Sequence, residues 1–292
     1  MSKKKILFIV NPFAGYNSNS QLPQLIEKEI PKDQFDTDII NTEYAGHAIE
    51  LTREALKENI DAIIAVGGDG TVNEVASELV NQDMAMGIIP AGSGNGLSMH
   101  LGIGRNARKA LSRIIDFNVQ QIDTAKVNDQ VYVNMAGFGI DGLVAYKTKL
   151  NSKRGFSTYF KGAIMEGLKY KNQSYKVEID GESYEGKFLS VNVANGSMFG
   201  YNFYIAPQAD TSDGMVDTLI IHDAHKVDYF GNAWRFWAKR IHRSKLASMS
   251  RTTSLRITTY EDSHMHIDGE GYPCKAGEYH FMVMPESLKI IC

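Results

Sequence analysis

The sequence predicts an α/β domain with a parallel sheet, followed by a second domain of antiparallel β-strands. In the N-terminal part, apolar runs of buried-strand character alternate with segments of helical periodicity; the runs are residues 6–10, 37–40, 62–66 and 86–89. Strands that alternate with helices in this way form right-handed βαβ units around a parallel sheet. From about residue 120, short β-branched and aromatic runs separated by turns replace this alternation, which indicates an antiparallel β-rich domain.

The loop after the third apolar run, Gly67-Gly68-Asp69-Gly70-Thr71, has the composition of a phosphate-binding turn. Its glycines lack a Cβ, so backbone N–H groups can approach an anion, and the helix that follows presents its positive end to the same place. A carboxylate among phosphates would be repelled, so Asp69 is expected to serve Mg²⁺ or a hydroxyl nucleophile. The plainer interpretation is an ordinary turn with a capping box formed by Thr71 and Glu74.

Three further loops follow predicted strands of the same sheet. Because such loops meet at the carboxyl edge of a parallel sheet, all four are expected to line one nucleotide pocket. The residues predicted to bind the nucleotide are Asn11, Pro12, Gly15, Thr42, Gly67, Gly68, Asp69, Gly70, Thr71, Asn73, Ser93 and Asn95.

Four motifs, in this order, resemble the diacylglycerol kinase catalytic family, which includes sphingosine kinases and bacterial soluble lipid kinases. They are Asn11-Pro12 with Gly15, Gly67-Gly68-Asp69-Gly70-Thr71 with Asn73-Glu74, Pro90-Ala91-Gly92-Ser93-Gly94-Asn95, and Asp268-Gly269-Glu270. The resemblance implies an ATP- and Mg²⁺-dependent kinase of a lipid hydroxyl, with diacylglycerol or a related lipid as the first candidate. It also implies a nucleotide domain like that of NAD kinase and phosphofructokinase, over residues 1–123, followed by a β-sandwich lipid-substrate domain, over 124–292, whose extreme C-terminus returns to the first domain.

The same resemblance suggests the acid–base residues. Glu270 matches the glutamate that acts as the base in the bacterial soluble lipid kinases, and it also counts among the residues of the nucleotide site. In the sphingosine kinases the base is the aspartate that matches Asp69, so both residues stay candidates. Asp123 matches a second catalytic carboxylate.

Substrate identity stays open at this stage. Asp141 matches the position at which sphingosine kinases hold the amino group of their substrate. Asn95 is followed by Gly96 rather than by the aspartate of many bacterial diacylglycerol kinases. Diacylglycerol, a long-chain base and a related glycerolipid are all consistent with these residues, as are a kinase of a soluble substrate such as NAD and a silent nucleotide-binding regulator.

The resemblance further assigns a structural Mg²⁺ loop in which Asp213 is the side-chain ligand and the carbonyls of Asp210 and Met215 are donors. A plain β-turn at this Asp-Gly pair is the alternative. His264, His266 and Asp268 fall at alternate positions of a predicted strand, and a transition-metal site there is a less favoured alternative.

Two helical stretches, residues 157–170 and 226–245, interrupt the β-rich domain. The second interleaves aromatic and basic residues, which suits an anionic bilayer surface; the alternative is aromatics in the core and charges in solvent. A net charge of −3 argues against nucleic acid as a partner. Two cysteines and the lack of an 18-residue apolar span indicate a cytoplasmic protein with peripheral membrane association. Oligomeric state stays open, with a homodimer as one alternative.

Overall fold

The structure is a computed structural model that describes residues 3–15, 22–150 and 165–292. The chain divides into two compact units. Unit 1 comprises Met1–Ile122 with Glu286–Cys292, and unit 2 comprises Asp123–Pro285.

Unit 1 is built on a parallel sheet with the strand order β4-β3-β1-β2. The strands β3 and β4 are buried along their whole length, as expected for a sheet covered on both faces. The register places Val10 opposite both Val66 and Asn41, so the strands end at the same edge. The elements are β1 (Lys4–Val10), α1 (Leu22–Glu29), β2 (Phe35–Asn41), α2 (His47–Ala55), β3 (Ala62–Gly67), α3 (Asp69–Leu79), β4 (Ala85–Pro90), α4 (Gly96–His100) and α5 (Ala107–Asp116).

The last residues of the chain belong to unit 1. They are the C-terminal part of strand β15 (Gly277–Ile291), in which Ile290 pairs with Met86 of β4 in parallel. The amide of Cys292 donates to the carbonyl of Asn118 at 3.1 Å. The C-terminus therefore adds a strand to the sheet of unit 1.

Unit 2 is an antiparallel β structure. Its main strand order is β14-β13-β7-β9-β8-β12-β15, β10 pairs with β9 and β11, and β5 pairs with β6. Its core contains the buried side chains of Phe138, Tyr175, Val177 and Ile257. The remaining elements are β5 (Val119–Val127), β6 (Gln130–Tyr132), β7 (Met135–Gly139), α6 (Ile140–Leu150), β8 (Gln173–Ile179), β9 (Glu182–Ala194), β10 (Val216–His222), α7 (Lys226–Asn232), α8 (Trp234–Trp237), β11 (Ala247–Thr252), β12 (Ser254–Thr259), β13 (Ser263–Ile267) and β14 (Glu270–Cys274). The predicted α/β domain followed by a β domain is confirmed.

Two local predictions were wrong. The single helix expected over residues 226–245 is divided into α7, α8 and a 3-10 turn at Ile241–Arg243. The left-handed conformation of Lys239, with φ 57°, separates α8 from the 3-10 turn. The capping box does not form, since α3 begins at Asp69 and has no side-chain cap, while the Glu74 carboxylate accepts from the amide of Gly46 at 2.9 Å.

Of the other predicted helix, residues 157–164 lie outside the described residues, and 165–169 are helical. Within the part of the chain that the structure describes, no helix is long and apolar enough to cross a membrane.

Candidate active site

The loops that follow β1, β3 and β4 are joined by hydrogen bonds. The amide of Asn11 donates to the carbonyl of Val66 at 2.9 Å, and its side-chain nitrogen donates to the Thr71 hydroxyl at 3.1 Å. The amide of Ala91 donates to the carbonyl of Gly67 at 2.8 Å. The predicted nucleotide-binding residues of these three loops therefore lie together at the carboxyl edge of the sheet.

Glycines allow these loops to approach closely. A Cβ on Gly92 would lie 2.4 Å from the Cα of Gly68, and a Cβ on Gly15 would lie 2.3 Å from the carbonyl oxygen of Ala91. Gly68 is the residue that precedes α3, and the first turn of this helix has no side-chain cap. Backbone N–H groups at a helix start are donors that an anion can use. The arrangement can bind phosphate.

Asp69 holds the third loop in place. Its two carboxylate oxygens accept from the amides of Asn95 at 2.9 Å and Gly96 at 2.7 Å. Asn95 is buried in a left-handed conformation, and its side chain bonds both the amide and the carbonyl of Gly92, at 3.0 Å and 2.7 Å. Asp69 is thus a positioning residue for the loop that starts α4. That Asp69 serves Mg²⁺ or a hydroxyl nucleophile stays a prediction.

Of the other residues predicted for the nucleotide site, all but Glu270 lie in unit 1; Glu270 lies in unit 2. Thr42 is buried and its amide donates to the carbonyl of Val10 at 2.8 Å, at the same strand edge. The remaining members lie in the three loops and the first turns of α3: Pro12, Gly70, Asn73 and Ser93.

In unit 2, Asp123 and the predicted metal loop come together. Asp123 is almost fully buried, its carboxylate accepts from the amide of Gly214 at 2.7 Å, and its amide donates to the carbonyl of Thr211 at 2.6 Å. Asp210 turns back on its own loop and accepts from the amide and hydroxyl of Ser212 at 3.0 Å and 2.7 Å. The carbonyl groups of Asp210 and Met215 belong to this same loop.

The carboxylate of Asp213 is paired with the guanidinium of Arg251. The Nε of Arg251 also lies 3.5 Å from Asp217, whose pKa burial raises to about 6 although Arg251 opposes the shift. Oxygen donors of this kind suit Mg²⁺, but here the ligand side chain already has a cationic partner. Among the described residues no group of three or more His, Cys, Asp or Glu is placed to hold a metal ion.

Asp268 builds the turn that presents Glu270. Its buried carboxylate accepts from three consecutive amides, those of Val133, Asn134 and Met135, at 2.9, 2.9 and 3.0 Å. Asp268 and Gly269 both have positive φ, of 46° and 83°, so β13 turns sharply into β14. In the Asp-Gly-Glu motif, Asp268 is therefore a structural carboxylate, Gly269 completes the turn, and Glu270 is an accessible acid.

Glu270 has a basic partner. Its carboxylate lies 3.0 Å from the ammonium group of Lys149 at the end of α6, and both side chains are about half exposed. The same ammonium group lies 4.6 Å from the ring centre of Tyr272. At Gly271 a Cβ would lie 1.9 Å from the backbone nitrogen of Tyr146, so only glycine lets α6 pack this closely on β14.

Asp141 belongs to a polar chain that the sequence did not reveal. The side-chain nitrogen of Asn192 donates to Asp141 at 2.8 Å, and the oxygen of Asn192 lies 2.8 Å from Nε2 of His266. Because that oxygen can only accept, Nε2 carries the proton. Burial lowers the pKa of His266 to about 3, and burial raises the pKa of Asp141 although Asn192 and Ser190 oppose that shift. His266 is thus a neutral part of this chain, and Asp268 is held by amides. Because no cluster of three or more His, Cys, Asp or Glu able to hold a metal ion occurs in the part of the chain that the structure describes, the transition-metal alternative for this strand has no support.

Comparison with known proteins decides the family. A family model described as diacylglycerol kinase catalytic domain matches residues 5–127, and one described as YegS C-terminal NAD kinase beta sandwich-like domain matches residues 134–292. The chain belongs to the diacylglycerol kinase catalytic domain family. The resemblance carried by the four motifs is confirmed, and the chain is a lipid kinase.

Relatives match over almost the whole chain. A diacylglycerol kinase of Bacillus subtilis (strain 168) is 28% identical over 282 residues, which is 94% of this chain and 93% of the relative. A diacylglycerol kinase of Staphylococcus aureus (strain MRSA252) is 29% identical over 276 residues, 92% of this chain and 86% of the relative. A crystal structure of a diacylglycerol kinase from Bacillus anthracis str. Sterne has a TM-score of 0.74 at 23% identity, over 100% of this chain and 97% of that chain, which shows a shared fold.

His266 should make this lipid kinase sensitive to acid. Its pKa in the folded chain is about 3, below the value of about 6.5 for an unfolded histidine. A depressed histidine pKa contributes stability that is present above pH ~6.5 and is lost as pH falls, at about 1.4 kcal/mol per pH unit. We expect His266→Gln, which keeps a donor for Asn192, to reduce the difference in unfolding free energy between pH ~6.5 and pH ~4.5 by about 2 kcal/mol.

Denaturant titrations at several pH values measure this gap. His280→Gln, which changes an exposed histidine, is the matched control with which the pH dependence of His266→Gln is compared. If the unfolding free energy of the original chain and that of His266→Gln changed equally with pH, His266 would not be the source of the acid sensitivity.

Proposed function

We propose that this lipid kinase transfers the γ-phosphoryl group of ATP to a hydroxyl of diacylglycerol or a closely related glycerolipid. The observation that carries the proposal is the cluster of three glycine loops braced by Asp69 at the start of α3. Such a cluster offers backbone donors to phosphate oxygens, and phosphoryl transfer depends mainly on positioning and charge neutralisation. The names of the relatives, which cover almost the whole chain, support diacylglycerol as the acceptor.

Within this proposal the residues have separate roles. Asn11, Thr71 and the loop amides would hold the nucleotide, and Asp69 would keep the third loop in position. When bound, ATP supplies the phosphoryl group, and the Mg²⁺ that accompanies it neutralises part of the phosphate charge. Glu270 would accept the proton of the lipid hydroxyl, because it is the accessible carboxylate that the Asp268 turn presents.

Asp123 would act indirectly, as a positioning residue. Its carboxylate is nine-tenths buried or more and already accepts from Gly214. We therefore propose that it positions the 210–215 loop rather than exchanging a proton. The substrate would be drawn from a membrane surface by a peripherally bound cytoplasmic enzyme.

A long-chain base is the second candidate substrate, and Asp141 favours it. Within the described residues this partly buried carboxylate has no ion-pair partner, and its hydrogen bonds come from the neutral side chains of Asn192 and Ser190. A carboxylate without a cation suits a substrate ammonium group. A carboxylate can equally accept a hydrogen bond from a substrate hydroxyl, so diacylglycerol stays the first candidate.

Transfer of labelled γ-phosphate from Mg-ATP into mixed micelles tests the proposal. The panel contains diacylglycerol, sphingosine, ceramide, monoacylglycerol and phosphatidylglycerol, and the product is extracted into organic solvent. We expect label in diacylglycerol. Label in sphingosine that is lost in Asp141→Asn would favour the second candidate. Label in the aqueous phase alone would indicate a soluble substrate and would overturn the proposal.

A further inference from the structure

The segment formed by α7 and α8 has apolar residues on both of its faces. Its inner face is used by the fold: Tyr229 and Phe236 pack against a buried cluster of unit 2. Phe236 stacks on Phe203 with ring centres 4.4 Å apart, and the Tyr229 hydroxyl donates to the carbonyl of His222 at 2.9 Å. These contacts fix the segment and settle which of its faces is turned inward.

The outer face carries three large apolar side chains at helical spacing, and a fourth, Trp237, lies at its edge, where the ring also packs edge-on against Phe203 with ring centres 4.9 Å apart. Val227, Phe230, Trp234 and Trp237 fall at i, i+3, i+7 and i+10, and they are 80%, 48%, 49% and 36% exposed. Single exposed apolar residues need no explanation, but a contiguous group on one face marks an interaction site. We call these four residues the apolar ridge.

Basic residues continue from the end of the ridge. Lys239, Arg240, Arg243 and Lys245 are exposed, and we call them the basic group. Between residues 226 and 245 the one acidic residue is Asp228, although the whole chain has a net charge of −3. The positive charge is therefore local to this surface and complements an anionic partner.

We propose that the apolar ridge and the basic group together bind the surface of an anionic lipid bilayer. Tryptophan and phenylalanine side chains enter the boundary between headgroups and acyl chains, and lysine and arginine side chains attract anionic headgroups. The inference rests on the proposed function, because a lipid kinase must reach a substrate that resides in a bilayer. It adds to that function the surface by which the enzyme docks.

Co-sedimentation of the full chain with vesicles tests this surface without requiring catalysis. Vesicles of phosphatidylcholine are compared with vesicles in which part of the lipid is phosphatidylglycerol. We expect the anionic vesicles to bind the chain at least about tenfold more tightly, and salt to weaken that binding. Equal binding to both kinds of vesicle, or none, would overturn the proposal.

Two pairs of variants, each with a matched control, locate the contact. Arg240→Glu with Lys245→Glu should weaken binding to anionic vesicles by more than about tenfold, whereas Lys32→Glu with Lys57→Glu, the same charge change in unit 1, should alter it by less than about twofold. Phe230→Ser with Trp234→Ser should weaken it likewise. Tyr260→Ser with Met282→Ser, which removes side chains 51% and 49% exposed elsewhere in unit 2, should not.

The outcomes separate this inference from the proposed function. Vesicle binding that depends on the ridge, without phosphorylation of any lipid in micelles, would support the docking surface and remove the substrate proposal. Normal phosphorylation of diacylglycerol in micelles, with equal vesicle binding by ridge variants and controls, would support the substrate proposal and overturn the docking surface. A change from dimer to monomer in the Phe230→Ser, Trp234→Ser variant on gel filtration would show that the ridge binds a second copy, and would overturn the membrane assignment.

Discussion

Replacing Glu270 with glutamine is expected to lower the turnover of lipid phosphorylation by about 100- to 10,000-fold, the contribution typical of a positioned general base. Glutamine keeps the size of the side chain and its oxygen acceptor, but it cannot take a proton at neutral pH. Glu270 lies after a turn built by Asp268 and beside β-strand backbone, so the change should leave the fold intact. The affinity for ATP should change by less than about threefold, because the loop amides and Asn11 belong to unit 1.

The measurement is the rate of labelled lipid formation at saturating ATP and lipid, together with ATP affinity by titration calorimetry. Glu278→Gln is the matched control, since it removes an equal charge from an exposed glutamate of the same unit. Loss of ATP affinity with unchanged turnover of bound substrate would show that Glu270 serves the nucleotide and that Asp69 is the better candidate for the base.

The parts of the fold that the sequence predicted are those decided by neighbouring residues. Apolar runs long enough for a buried strand, followed by glycine loops and helical periodicity, placed β1, β3 and β4 close to their observed ends. The glycines at 67, 68 and 70 were predicted to bring backbone groups near an anion. The structure shows that they also allow the loops themselves to touch, as the short Gly68–Gly92 approach demonstrates.

Two strands of unit 2, β7 and β14, depart from the β-branched and aromatic composition by which the sequence indicated the second domain. The strand β7 contains Gly137 and Gly139, where a Cβ would lie 2.5 Å and 2.4 Å from the backbone of β9. These positions require glycine so that the two strands can approach closely, although glycine has a low β-propensity. The strand β14 contains Pro273, which is tolerated because β14 lies at the end of the strand order. The helix over 226–245 was predicted too long because both faces of α7 and α8 are apolar, which hides where the periodicity ends.

The unpredicted parts of the candidate site are pairs of residues distant in the sequence. Asp69 meets the amide of Asn95, Asn192 joins Asp141 to His266, and Arg251 neutralises Asp213. No local pattern encodes such pairs, because each side chain is an ordinary polar residue until the fold buries it. A buried polar group needs a partner, so burial itself is the signal, and it is available only once the fold is known.

Asp268→Ala is expected to lower the unfolding free energy of unit 2 by about 3 kcal/mol or more. The change leaves three buried amide donors, at Val133, Asn134 and Met135, without the carboxylate that accepts from them, and each unsatisfied buried donor costs about 1–3 kcal/mol. Asp268→Asn should cost less but still more than about 1 kcal/mol, since its NH₂ group would face amide donors. Tryptophan fluorescence during denaturant titration reports this transition, because both tryptophans of the chain, Trp234 and Trp237, lie in unit 2.

Asp262→Asn is the matched control for that measurement. Its carboxylate is exposed and paired with Lys275, and exposed ion pairs contribute little to stability. If Asp268→Asn were as stable as Asp262→Asn, the three amide bonds would not hold the turn. If stability fell as expected, turnover below the unfolding midpoint should fall as well, because the same turn sets the position of Glu270. A folded Asp268→Asn variant with full turnover would separate the two roles and leave Asp268 with the fold alone.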